Sequence, residues 1–190
     1  LKTAEANDQI IISDLDEIPN LDNVNFNNIK SKIILFRQKM FYYKFNLILE
    51  NMIWCGSKSC KMKNFLFPQW LREVKDKKYP LWRIDTIFSN KKYNNVHFVE
   101  NGGWHFTNIK TPEEIDKKLR SYMHHPEYDQ SNIGPKEIDK MIKERKPVYD
   151  LMANSSEVKD RSNTKLKVID VNELPLFIRQ NQDKYNEWIL

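Results

Sequence analysis

Ten residues near the start of the chain, Ile10-Ile11-Ile12-Ser13-Asp14-Leu15-Asp16-Glu17-Ile18-Pro19, constrain its fold more than any other stretch. Ile10 to Ile12 form an apolar, β-branched run suited to a buried strand. Asp14, Asp16 and Glu17 follow at once, and Pro19 stops the strand from continuing. Open α/β sheets collect their ligands at the carboxyl ends of strands, and hard divalent cations prefer carboxylate oxygens. An Asp-x-Asp in that place suits a clamp for a metal ion that in turn holds a diphosphate.

Two other readings compete for the same residues. One is a polar turn that happens to be acidic, since Asp is common after strands. The other is the first motif of a haloacid-dehalogenase-type phosphatase, an apolar strand followed by Asp-x-Asp-x-Thr. This chain has Ile18 where that motif has Thr, and no paired-Asp second motif follows downstream.

At 190 residues the chain suits one domain with a sizeable core. A hydrophobic content of 40% and a charged content of 30% are those of a globular protein. No apolar stretch is long enough to span a membrane. The net charge of +5 raises the question of nucleic acid. Its basic residues, however, are mostly Lys scattered among Asp and Glu, and no nucleic-acid partner is expected. Such a surface suits acidic ligands in general, a nucleoside diphosphate or an anionic glycan among them. Cys55 and Cys60 lack further ligands at zinc spacing and read as two free thiols, with a local disulfide as the alternative.

Along the chain, Leu21 to Lys30 reads as a short helix or loop, and Lys32 to Arg37 as a strand. Met40 to Leu49 alternates Phe41, Tyr43, Phe45, Leu47 and Leu49 on one face, the pattern of a strand against a core. The same rings could line a sugar site. Pro68 to Lys77 has Pro in its first turn and predicts a helix. Val96 to Glu100 predicts a short strand, broken by Asn101, Gly102 and Gly103. Thr111-Pro112-Glu113-Glu114 is a capping box opening a helix to about Met123. Further helices are expected over Pro135 to Lys146 and Leu174 to Tyr185, and a strand over Val168 to Val171. Residues 153–164 are polar and read as a loop or insertion.

Two clusters stand out beyond the acidic turn. Gly102-Gly103-Trp104-His105-Phe106 combines backbone freedom with broad rings. His124-His125-Pro126-Glu127-Tyr128 follows the Thr111 helix, and an imidazole there could complete a metal shell with Asp16; the alternative is a structural His.

The ordered set of Ser13 to Pro19, Met40 to Asn46, Gly102 to Phe106 and Lys117-Lys118-Leu119 leading to His125-Pro126-Glu127-Tyr128 resembles glycosyltransferase family 17. These are the β-1,4-mannosyl-glycoprotein β-1,4-N-acetylglucosaminyltransferases and their relatives. The resemblance runs to Leu174-Pro175 and the final helix. It implies a Rossmann-like type-A glycosyltransferase fold, an α/β/α sandwich with a mixed sheet, and a UDP-sugar donor with Mn²⁺ or Mg²⁺. It also implies a glycan or glycoconjugate acceptor and inversion at the sugar carbon, in the cytoplasm of a microbial or viral source or the Golgi of a eukaryote. By the same resemblance Asp14, Asp16 and His125 hold the metal, and Asp14, Asp16 and Glu17 the donor. Glu100 is the expected base on the acceptor hydroxyl, ahead of Glu127 and Glu17, and Gly103, Trp104 and His105 contact the acceptor. Type-A enzymes bind the nucleoside with strands upstream of the Asp-x-Asp, which here lies close to Leu1. The resemblance therefore implies an incomplete nucleotide-binding half, weak UDP-sugar binding by this chain alone and a tendency to aggregate. A carbohydrate-binding module without turnover is the alternative from outside enzymology.

Overall fold

The run Ile33-Ile34-Leu35-Phe36 is apolar at every position, which suits a strand covered on both faces. In the computed structural model, which describes residues 3–121, 128, 133–147 and 165–190, this run opens strand β3 (Ile33–Tyr42). Ile33 and Leu35 pack on one face with Cys60, Trp70, Leu71, Val74 and Val96. Ile34 and Phe36 pack on the other with Val99, Val24, Phe26 and Ile29. The chain forms two compact units, Leu1–Met40 with Met52–His105 and Phe41–Asn51 with Phe106–Leu190.

In the first unit the strands lie in the order β1-β4-β3-β6-β2, with β5 also paired to β3. Here β1 is Gln9–Ile12, β2 Glu17–Pro19, β4 Leu47–Lys61, β5 Val96–Val99 and β6 Gly103–Thr107. The β1–β4 and β2–β6 pairings are antiparallel, and β3–β5 is parallel. Among the described residues β1 pairs with β4 on one side only, and Ile10 is buried while Ile11 and Ile12 are half-covered. The expectation of a fully buried strand before the acidic turn is corrected accordingly. Helix α1 (Pro68–Glu73) is shorter than predicted. Its chain turns extended at Val74, where the buried ammonium of Lys58 donates to the carbonyls of Arg72 (2.7 Å) and Val74 (2.5 Å). Those bonds satisfy groups that a further helical turn would otherwise have to pair. Leu21 to Lys30 becomes two short 3₁₀ turns, Leu21–Asn23 and Phe26–Asn28.

In the second unit, the predicted strand from Met40 to Leu49 is a hairpin instead. Tyr43 adopts a left-handed φ of 63°, and β4 starts at Leu47, pairing antiparallel with β7 (Lys167–Val168). Phe41, Tyr42 and Tyr43 are buried, and the Phe106 ring lies 5.2 Å from both Phe41 and Phe45. Phe41, Tyr42 and Tyr43 thus build core. Helix α2 (Pro112–Ser121) is opened by the predicted box, with Thr111 N donating to Glu114 (3.1 Å) and Glu114 N to Thr111 (3.3 Å). It packs against α3 (Pro135–Glu144), and Ile115 and Ile138 on the two helices are fully buried. The predicted closing helix is split by Asn181 into α4 (Leu176–Gln180) and a 3₁₀ stretch, Gln182–Trp188. Among the described residues no helix is long and apolar enough to cross a membrane. The 153–164 loop lies outside the described residues.

Candidate functional site

The turn between β1 and β2 is closed by its own residues. Glu17 N donates to the Asp14 carbonyl (3.1 Å), and Asp14 N donates back to Glu17 Oε2 (3.0 Å). Glu17 is buried, and its second oxygen accepts from Trp54 Nε1 at 2.7 Å. With both its oxygens engaged, Glu17 fixes the loop. The Asp14 and Asp16 side chains are left 45% and 41% exposed. Arg72 Nη2 stands 2.7 Å from Asp14 Oδ1 and 3.0 Å from Oδ2. The cleft beside this turn holds about 190 Å³ and is lined by Ile12, Asp14, Glu17, Trp54, Cys55, Gly56, Lys58 and Arg72.

His105 reaches the turn from β6. The ladder sets it opposite Glu17, so alternation puts both side chains on one face of the sheet. Its Nε2 lies 3.3 Å from Asp16 Oδ2, and its ring packs against Trp54 at 4.8 Å between centroids. Its Nδ1 is buried without a hydrogen-bond partner, as is Gln38 Oε1. Gln38 Nε2 donates to Ser57 Oγ (3.0 Å), which in turn meets Ser13 Oγ (2.7 Å). Trp104, one residue before His105 and paired with Ile18, faces the other way and is half-buried. The proposed acceptor cluster is therefore divided between two faces. Gly103 has φ 136°, and a Cβ there would come within 2.0 Å of the Ile18 carbonyl oxygen, so its backbone conformation and close packing both require glycine.

Of the predicted site residues, Asp14, Asp16, Glu17 and His105 come together. Glu100 does not line this cleft. It lies just before β6 at the end paired with Pro19, whereas the acidic turn joins the opposite end, and it forms a 2.7 Å ion pair with Arg37 while 65% exposed. Glu100→Gln is thus expected to leave any activity within about twofold and stability within about 1 kcal/mol, measured as initial rates and urea midpoints. His125 and Glu127 lie outside the described residues.

Sequence reasoning missed Gln38, Trp54, Gly56 and Arg72. Only Gly56 carried a local signal, a glycine interrupting a strand, which marks close approach of another group. Burial pushes the Cys55 and Cys60 thiols up to about 11, with Asp76 adding to the effect at Cys55, so both remain protonated thiols near neutral pH. Both are free thiols, and Cys55 packs against the same cluster that contains Cys60.

Over 130 residues, 62% of this chain, the sequence is 27% identical to the E3 ubiquitin-protein ligase HUL5 of Saccharomyces cerevisiae. The matched region spans 14% of the length of that protein. No protein family model matches the chain. No solved structure matches it either.

Proposed function

We propose that the cleft beside the Asp14–Glu17 turn is the metal and diphosphate site of an inverting glycosyltransferase. It would move N-acetylglucosamine or another hexose from a UDP-sugar to a glycan or glycoconjugate acceptor. One observation carries this reading: Glu17 locks a loop that leaves the Asp14 and Asp16 carboxylates partly exposed, with Arg72 against Asp14 and His105 against Asp16. The Rossmann-like type-A fold belongs to the same proposal.

A divalent cation fits these residues. Asp14 already faces a cationic group, Arg72, and Asp16 a nitrogen of His105. Among the described residues no three His, Cys, Asp or Glu side chains gather into a closed metal cage. Mg²⁺ or Mn²⁺ shared with a diphosphate needs only one or two carboxylates, since phosphate oxygens and water supply the rest. Asp14 and Asp16 would hold the ion, with His105 orienting Asp16 from behind. When bound, the ion would neutralise charge on the departing UDP. Arg72 adds positive charge for the phosphates. Glu17 acts as a positioning residue; Trp104, on the opposite face of the sheet, does not look onto this turn.

Incubation with UDP-N-acetylglucosamine and Mn²⁺ tests the reading. Release of UDP that stops on adding chelator supports it. Hydrolysis of a phosphomonoester in its place would favour the phosphatase, and glycan binding indifferent to metal would favour a non-catalytic module.

A further inference from the structure

Residues 80–88 are folded inside out. Leu81 and Phe88 are each 86% exposed, Trp82 and Ile87 76%, and Ile84 69%. Arg83 and Asp85, set among them, form a partly exposed bidentate pair at 2.6 and 2.8 Å. Lys92 Nζ joins the same carboxylate at 2.8 Å, and the Tyr79 ring lies within cation–π reach of Lys77, Arg83 and Lys92. Successive turns tie the backbone: Arg83 N to Pro80 O (3.1 Å), Thr86 N to Arg83 O (3.1 Å) and Ile87 N to Ile84 O (3.0 Å). This is a built scaffold that holds apolar side chains out in water, and each of them would gain from burial.

We propose that this loop is a docking surface for an anionic lipid bilayer, with Trp82 and Phe88 seated at the level of the headgroups. Charge selects that partner. Across residues 73–93, Lys75, Lys77, Lys78, Arg83, Lys91 and Lys92 face only Glu73, Asp76 and Asp85. Hydrogen bonds from Arg83, then Lys92, hold the Asp85 carboxyl well below the usual carboxylate range, so it stays ionised and consumed within the scaffold. An apolar tip with basic flanks binds anionic interfaces through both terms at once, and Trp favours the headgroup layer. The inference is independent of the glycosyltransferase reading.

Co-sedimentation of the chain with vesicles is the test, using phosphatidylcholine alone and phosphatidylcholine mixed with phosphatidylserine. The chain is expected to pellet with the mixed vesicles and to stay largely in solution with the neutral ones. The double variant Trp82→Ser, Phe88→Ser should lose at least about tenfold in partitioning. Because both side chains are exposed, its melting temperature should match that of the unmodified chain, which separates lost docking from lost fold. No partitioning into anionic vesicles, equal binding by the double variant, or equal binding to neutral vesicles would overturn the proposal. So would self-association of the chain in size-exclusion chromatography that the double variant abolishes, since the loop would then be a protein interface.

Discussion

Gly56→Ala is expected to cost about 3 kcal/mol of stability, at the upper end of what overpacking a core produces. A Cβ at this position would sit 2.3 Å from Gln38 Oε1 and 2.5 Å from both Cδ and Oε1 of Glu17. Neither neighbour can withdraw cheaply. Gln38 is buried on the central strand and donates to Ser57, while Glu17 is held by Trp54 and by the Asp14 amide. Displacing Glu17 also strands the Trp54 N–H and releases the clasp on the acidic turn. Urea unfolding followed by tryptophan fluorescence measures the loss. A change under about 0.5 kcal/mol would show that the turn tolerates a methyl group and that its rigidity was overstated.

Asp16→Asn is expected to do the reverse: little to the fold and nearly everything to turnover. The Asp16 carboxylate is 41% exposed, and an exposed pair of this kind contributes about 0 to 1 kcal/mol. The amide keeps the shape but loses the charge that a divalent cation needs. UDP release from UDP-N-acetylglucosamine should therefore fall about a thousandfold, the scale of removing a principal transition-state electrostatic partner. A melting temperature within a few degrees of the parent accompanies the expected result. Retained turnover would remove Asp16 from the metal site.

The two variants probe different layers of what the sequence makes visible. Local pattern was enough for the turn after β1, although Pro19 lies within strand β2 and does not stop β1, and for a strand over Ile33 to Phe36. The capping box at Thr111 was legible too, as its bonds close within four residues. The hairpin was not legible. Tyr43 takes its left-handed φ without Gly, Asn or Asp at that position, and the alternating rings on either side imitate one strand. Nor was the wall of the cleft. Trp54 and Gln38 reach Glu17 and Gly56 through strand pairing across the sheet, and no spacing in the chain encodes that register. Alternation alone, applied to Trp104 and His105, would have separated them onto two faces.

The account centres on Asp14 and Asp16 as the site where a divalent cation and a diphosphate meet. Electron paramagnetic resonance of Mn²⁺ tests this most directly, because free Mn²⁺ gives a strong signal in solution that is lost on binding. The chain is titrated with Mn²⁺ with and without UDP, beside the double variant Asp14→Asn, Asp16→Asn. The account predicts that UDP increases Mn²⁺ uptake by the unmodified chain and that the double variant binds at least about tenfold more weakly. Equal Mn²⁺ uptake by the two proteins in the presence of UDP would contradict it.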